Sequence, residues 1–114
     1  MYYLTKKIQI SASHQLKLSY QSACERLHGH NWNIVVHCKN EDLNEDGMII
    51  DFTEIKKIVN QFDHQNINDI MKGDNGEFIN PTAENMAKYL CDSIPYCYKI
   101  EVEETDGNKV IYEP

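Results

Sequence analysis

The chain has 114 residues, and its 18 aspartates and glutamates outnumber its 11 lysines and arginines, which gives a formal net charge of −7. That length suits one compact domain, which we place at residues 1–114, and the acidic excess argues against a nucleic-acid partner. The first residues lack the pattern of a signal peptide, and no apolar run approaches the roughly 18 residues of a membrane span. We therefore expect a cytoplasmic protein with no membrane partner.

The first two predicted strands carry several histidines. Apolar residues alternate from Tyr2 to His14, which predicts a strand with one face inward, and His14 falls on the apolar side. After a predicted loop, the alternation resumes and places His28, His30 and Trp32 on one face. His37 has the opposite parity, so we leave it out of any shared site.

The rest of the chain predicts two helices followed by two strands. The segment GMIIDF, residues 47–52, is typical of the end of a short strand. Apolar residues at helical spacing then predict a helix that ends near Asp63, and a polar, mostly loop segment follows. Pro81 and Thr82 supply the start of a second helix, which Pro95 ends. With a closing hairpin, this grouping predicts an α+β fold built on an antiparallel sheet.

Three of the histidines suggest a metal site. Histidines two residues apart point the same way only on a strand, as His28 and His30 would. If the first two strands are neighbours, His14 joins them at the end of a buried face. Three imidazoles with an open fourth position are the ligand set of catalytic zinc, although iron or nickel would also accept imidazole. The alternative is a set of buried core histidines with hydrogen-bond partners.

One of the four cysteines stands near these histidines. Cys24 precedes His28 by four residues, so it could be a fourth metal ligand that closes the site, or a nearby base or nucleophile. The four cysteines contain no C-x-x-C pair. We expect Cys38, Cys91 and Cys97 to be ordinary buried or half-buried thiols.

Asp63 and His64 are adjacent where the first helix ends. A carboxylate beside an imidazole can orient it and support its cationic form. Because adjacent side chains seldom hydrogen-bond each other directly, we expect the pair to act through a shared partner. A solvated loop pair is the alternative.

Glu104 and Arg26 are the other charged candidates. Glu101 and Glu103 lie on the polar side of the last long strand and are expected to be solvated, whereas Glu104 continues its apolar side. An inward carboxylate is costly unless paired, and it could accept two parallel hydrogen bonds from a guanidine-like ring. Arg26 is the chain's single arginine, and it suits an anion held beside a metal. A frayed strand end and a surface arginine are the alternatives.

Six short motifs in order resemble one family. They are SASH, CERLHGH, GMIIDF, DHQNIN, PTAEN and the closing ET at residues 104–105. Together they resemble the 6-pyruvoyl-tetrahydropterin synthase family almost end to end. Three residues separate Cys24 from His28, a spacing that resembles the family's carboxy-forming branch, which serves queuosine biosynthesis.

The resemblance implies a function and a set of roles. The implied reaction converts 7,8-dihydroneopterin triphosphate to 6-carboxy-tetrahydropterin, acetaldehyde and triphosphate, with one zinc ion per subunit. The pyruvoyl-forming reaction, which eliminates triphosphate without cleaving the side chain, is the alternative. The implied metal ligands are His14, His28 and His30, the catalytic groups are Cys24, Asp63 and His64, and the substrate-binding residues are Glu104, Thr82, Glu84 and Arg26.

The resemblance also implies an architecture. The family's tunnelling fold is an antiparallel four-stranded sheet with two helices on one face. Subunits join their sheets into a barrel, commonly a homohexamer of two trimers, with active sites at subunit interfaces. A non-enzymatic module, stabilised by zinc with Cys24 as the fourth ligand, is the rival from another class.

Overall fold

The computed structural model describes all residues, Met1–Pro114, and contains one sheet with helices on one face. The sheet order is β3-β1-β2-β4-β5. Strands precede and follow the helices, so the predicted α+β arrangement is confirmed. The strands are β1 (Tyr2–His14), β2 (His28–Asn40), β3 (Gln65–Asn66), β4 (Cys97–Thr105) and β5 (Asn108–Tyr112), and the helices are α1 (Phe52–Asn60), α2 (Ile67–Ile70) and α3 (Ala83–Ser93).

The long strands pair antiparallel, as the sequence predicts. β1 pairs with β2 along its whole length, from Tyr2 opposite Asn40 to His14 opposite His28. β2 also pairs with β4, and β4 pairs with β5. The register therefore places the last histidine of one strand directly beside the first histidine of the next.

The sheet has five strands, not the four that we expected. The additional strand, β3, is only two residues long and runs parallel to β1 at the edge of the sheet. With the one-turn helix α2, it occupies part of the segment predicted to be mostly loop. A single 3-10 turn, Ala23–Glu25, likewise interrupts the predicted loop between β1 and β2.

The strand predicted for residues 47–52 is wrong. Gly47 adopts a positive φ of 80°, a conformation that favours glycine and turns the chain. The side-chain oxygen of Asn44 accepts hydrogen bonds from the backbone N–H groups of Asp46 and Met48. Because these hydrogen bonds fold the segment into a turn, it does not pair with the sheet, and Ile49 enters the core from this turn.

The core lies between the sheet and the helices. It uses one face of the strands, including Trp32, Ile34 and Ile100, together with the buried sides of α1 and α3. No helix has both the length and the apolar composition needed to cross a membrane.

The opposite face of the sheet is polar, but one of its carboxylates is not solvated as we expected. Glu101 is half-buried because it pairs with His37, at 2.6 Å between Oε2 and Nε2, and with Lys109, at 3.3 Å. The hydrogen bond from His37, with a smaller contribution from Lys109, lowers the pKa of Glu101 although its partial burial opposes this. His37 thus lies outside the histidine group, as its parity predicts.

The predicted start and end of the second long helix are confirmed. Thr82 is the N-cap of α3, and its side chain accepts a hydrogen bond from the N–H of Asn85 at 3.1 Å. The helix ends at Ser93, with Ile94 as its C-cap directly before Pro95.

We expect Thr82→Ala to lower the free energy of unfolding by about 1 kcal/mol, because the N–H of Asn85 loses its side-chain acceptor. Thr82→Ser retains the oxygen and should stay close to the parent protein. Urea denaturation of both variants measures the difference. An equal loss in the serine variant would attribute the effect to the missing methyl group and not to the cap.

Candidate metal and catalytic site

Three histidines converge where β1 ends and β2 begins. The candidate ligand nitrogens of His14, His28 and His30 all lie within 4.8 Å of one another. His14 is fully buried, whereas His28 and His30 are half-buried. The predicted three-histidine group is thus assembled by the register of two neighbouring strands.

Backbone carbonyls fix the orientation of two of these rings. His14 Nδ1 lies 2.7 Å from the carbonyl oxygen of Pro81, and His28 Nδ1 lies 2.7 Å from that of Arg26. A carbonyl can only accept, so both Nδ1 atoms donate, and in the neutral rings both Nε2 atoms carry lone pairs. Those two Nε2 atoms are 2.9 Å apart. Two lone pairs at this separation repel unless a cation lies between them, which is the arrangement of metal ligands with backbone partners.

The third ring presents an unpaired nitrogen. His30 Nε2 is buried and has no hydrogen-bond partner. It lies 3.2 Å from Glu104 Oε1, but not in hydrogen-bonding alignment. A buried polar atom without a partner is costly, so this nitrogen also suits a metal ligand. The donor set of three imidazoles therefore fits Zn²⁺ with an open coordination position.

Burial keeps two of the histidines neutral. Desolvation lowers the pKa of His14, and the hydrogen bond to Pro81 opposes this only in part. Desolvation likewise lowers the pKa of His30, against the opposing charge of Glu104. Because only a neutral imidazole has a lone pair for a metal, the site stays competent at neutral pH.

We expect the metal-free protein to lose stability as the pH falls below about 6.5. Unfolded histidines take up a proton near that ordinary pKa, whereas folded His14 and His30 resist protonation. The unfolded state then binds more protons, so acid favours it. Urea denaturation of chelator-treated protein from pH 8 to 5.5 measures the slope. His14→Gln should flatten it, and an unchanged slope in that variant would contradict this assignment.

Trp32 packs against two of the histidines, a role that the sequence alone did not assign. Its ring lies edge-on to His14 and His30, with centroid distances of 5.0 and 5.4 Å. Its indole N–H donates to the carbonyl of Ala12 at 3.1 Å. In the sequence, this contact could have been inferred from the position of Trp32, two residues after His30 on the same face of β2. The carbonyls of Pro81 and Arg26 had no sequence signal, because backbone partners are set by the fold.

Cys24 does not belong to the histidine group. It is exposed on the 3-10 turn between β1 and β2, which Ser22 caps. The group of mutually close ligand atoms contains the three histidines and does not include its thiol. Arg26 follows this turn; its carbonyl orients His28, while its side chain is exposed. This placement suits a thiol that faces a bound molecule better than one that closes a metal site.

Asp63 and His64 contact each other directly, contrary to our expectation for adjacent residues. His64 has a φ of 59°, in the left-handed region, and this brings its Nδ1 to 3.0 Å from Asp63 Oδ2. The backbone of Ser11 also hydrogen-bonds to both residues. Its N–H donates to Asp63 Oδ1, and its carbonyl accepts from the His64 N–H. The Ser11 N–H, with a smaller contribution from His64, lowers the pKa of Asp63.

The His64 side chain is 81% exposed. It lines a cavity of about 380 Å³ that also contacts His30. A non-glycine residue in this region is held there by its surroundings, and such residues cluster at functional sites. The imidazole is therefore oriented by Asp63 and still open to a bound molecule.

The remaining predicted residues lie on the α3 and β4 side of the histidines. Glu104 keeps the inward parity that the sequence predicts, with a side chain that is 29% exposed. It lines a cavity of about 280 Å³ together with Glu84, at the start of α3. The hydroxyl of Thr82 is already used by the helix cap. Glu104 and Glu84 thus border one space, while Thr82 caps the helix that carries Glu84.

Comparison with known proteins identifies the family of the chain. The family model of 6-pyruvoyl tetrahydropterin synthase matches residues 3–114. The 6-carboxy-5,6,7,8-tetrahydropterin synthase of Bacillus subtilis is 28% identical over 97% of this chain and 84% of its own. The human 6-pyruvoyl tetrahydrobiopterin synthase is 30% identical over 96% of this chain and 90% of its own.

A solved structure extends the agreement to the fold. The 6-pyruvoyl tetrahydropterin synthase of Caenorhabditis elegans superimposes with a TM-score of 0.74 at 25% identity, over 99% of this chain and 95% of the other. The sheet with helices on one face is therefore the tunnelling fold that the motifs imply. In sequence and in fold, the chain belongs to the 6-pyruvoyl tetrahydropterin synthase family.

Proposed function

We propose that the protein is a zinc-dependent 6-carboxy-5,6,7,8-tetrahydropterin synthase. It would convert 7,8-dihydroneopterin triphosphate and one water to 6-carboxy-tetrahydropterin, acetaldehyde and triphosphate, for queuosine biosynthesis. The observation that carries the proposal is the convergence of three imidazole nitrogens within 4.8 Å in a chain of this family. The similarity to the Bacillus subtilis synthase supports the carboxy-forming reaction.

His14, His28 and His30 would hold one zinc ion per subunit. When bound, zinc would supply Lewis-acid polarisation of the substrate's side-chain oxygens. The chain's own contribution is to keep His14 and His30 neutral and to orient the rings of His14 and His28. It does so by burying His14 and His30 and by fixing Nδ1 of His14 and His28 on carbonyls.

Cys24 and the Asp63–His64 pair would move protons. Cys24, exposed on its turn, would take a proton from the substrate side chain as thiolate. His64, oriented by Asp63 at 3.0 Å, would return or relay a proton. Since the side chains of Cys24 and His64 are both open to solvent, each is available to a molecule outside its own subunit's core.

Substrate binding would use the cavity beside α3 and β4. Glu104 would accept hydrogen bonds from the N–H edge of the pterin ring, with Glu84 lining the same cavity and Thr82 two residues before Glu84. The exposed guanidinium of Arg26 would face the triphosphate.

We also propose that the active enzyme is a homohexamer, a dimer of trimers in which sheets join into a barrel and sites lie between subunits. Both edges of the sheet leave strand available. β3 covers only Ala12 and Ser13 of β1, and β5 has no neighbour on its outer side. An open strand edge pairs readily with another chain.

The pyruvoyl-forming reaction is the alternative, and the name of the human relative supports it. The three residues between Cys24 and His28 favour the carboxy-forming reaction, as that spacing resembles the carboxy-forming branch. The two reactions differ in the pterin product and in the release of acetaldehyde, because only the first breaks a carbon–carbon bond of the side chain.

The test is to incubate zinc-loaded protein with 7,8-dihydroneopterin triphosphate and to assay pterin products, triphosphate and acetaldehyde together. We expect acetaldehyde in equal amount to 6-carboxy-tetrahydropterin. Release of triphosphate without acetaldehyde would replace this proposal with the pyruvoyl-forming reaction. No turnover by metal-replete protein would favour the non-enzymatic zinc module.

A further inference from the structure

Three cysteines gather at the end of the sheet that is remote from the histidines. Cys38 lies near the end of β2, Cys97 begins β4, and Cys91 lies on α3, which packs over β4. Cys38 and Cys91 are buried, and Cys97 is half-buried. At about 3.3 Å per residue, Cys38 is roughly 26 Å along β2 from His30. The cluster is therefore separate from the site described above.

Cys38 and Cys97 are directly opposite in the sheet. They are register partners, at a point where β2 and β4 shift register in a β-bulge. The neighbouring Lys39 N–H donates to the Tyr96 carbonyl at 3.1 Å. That bond makes Cys38 and Cys97 a non-hydrogen-bonded pair, in which α-carbons are about 4.5 Å apart and side chains lie close together. Disulfides accept α-carbon separations of about 4.4–6.8 Å.

The three thiols interact with one another and make only weak backbone contacts. The Sγ atoms of Cys38, Cys91 and Cys97 lie 3.5–3.7 Å from carbonyl oxygens. A hydrogen bond from the Cys97 thiol lowers the pKa of Cys38. Burial, assisted by Cys97, raises the pKa of Cys91 to about 12. The hydrogen bond to Cys38, together with burial, raises the pKa of Cys97 well above its ordinary value.

We propose that Cys38 and Cys97 form a reversible cross-strand disulfide when the protein meets a peroxide. The peroxide oxidises one thiol to a sulfenic acid and is itself reduced, releasing one water. The second sulfur then attacks the first, the S–S bond forms, and the sulfenic oxygen leaves as a second water. Two thiols lose two electrons and two protons in total, and a dithiol reagent reverses the step by exchange.

The disulfide would join β2 to β4 across a long intervening chain. Closing a loop of that length in the unfolded state stabilises the folded one, so oxidation should raise the thermal unfolding midpoint by about 5–15 °C. The half-buried Cys97 gives a small oxidant its access to the pair.

The experiment treats the full chain with graded hydrogen peroxide, then blocks the remaining thiols with N-ethylmaleimide. Peptide mass mapping should show one cross-link, between Cys38 and Cys97, and dithiothreitol should remove both the cross-link and the shift in midpoint. Cys97→Ser should abolish both. Cys91→Ser is the matched control from the same cluster and should retain both. All of these proteins should also carry Cys24→Ser, so that the exposed thiol of Cys24 cannot be oxidised or form a cross-link.

Other outcomes overturn the proposal. Alkylated Cys38 and Cys97 after treatment that fully oxidises Cys24 in the parent protein would show that the pair does not react. A cross-link through Cys91, or a covalent dimer on a non-reducing gel, would assign the reaction to a different pair. Because no reading depends on turnover, failure of the proposed enzymatic function would leave this result unaffected.

Discussion

Replacing His28 with alanine should abolish stable zinc binding and, with it, turnover. The variant loses the nitrogen that faces His14 Nε2 at 2.9 Å, and two imidazoles remain where three converge. Because a structural or catalytic zinc site with three protein ligands depends on each of them, we expect the zinc affinity to fall by at least about 10³-fold. Competition with a chromophoric chelator measures the affinity, and elemental analysis after dialysis measures retained metal.

The chain offers a matched control on the same strand. His37 lies on the opposite face of β2 and pairs with Glu101. His37→Ala should therefore bind zinc as the parent protein does, although it should lower stability by leaving a half-buried Glu101 with one partner fewer. Equal loss of zinc in the two variants would show that the loss follows from disturbance of β2 and not from removal of a ligand.

The histidine group was predictable because period-two alternation is a strong local signal. The parity of His14, His28 and His30 fixed the face on which each lies, and full pairing of β1 with β2 brought them together. The inward parity of Glu104 followed from the same rule. These residues lie in long strands, where sequence spacing determines direction.

What the sequence did not predict depends on the backbone of turns and on distant partners. The direct contact between Asp63 and His64 requires the left-handed φ of His64, and the carbonyl of Ser11 in β1 accepts a hydrogen bond from the His64 N–H. A turn at Gly47 stands where a strand was predicted, because the side-chain oxygen of Asn44 accepts hydrogen bonds from the backbone N–H groups of Asp46 and Met48. Spacing alone carries no information about such partners, since they are distant in sequence or set by single dihedral angles.

A substitution at Cys24 distinguishes the proposed enzyme from the zinc-stabilised module. Cys24→Ala should reduce turnover by about 10³-fold or more, because the proposed proton acceptor is removed while the three imidazoles are untouched. Zinc content should stay at one ion per subunit, since the thiol lies on the exposed turn outside the ligand group. Steady-state kinetics and elemental analysis on the same preparation provide both readings.

Cys97→Ala, in reduced protein, is the matched thiol control, because Cys97 lies at the opposite end of the sheet. It should retain both turnover and zinc. Loss of zinc together with activity in Cys24→Ala would instead place the thiol on the metal, closing the fourth position that a substrate needs. That result would contradict the open site inferred from three imidazoles, and it would favour the zinc-stabilised module over an enzyme.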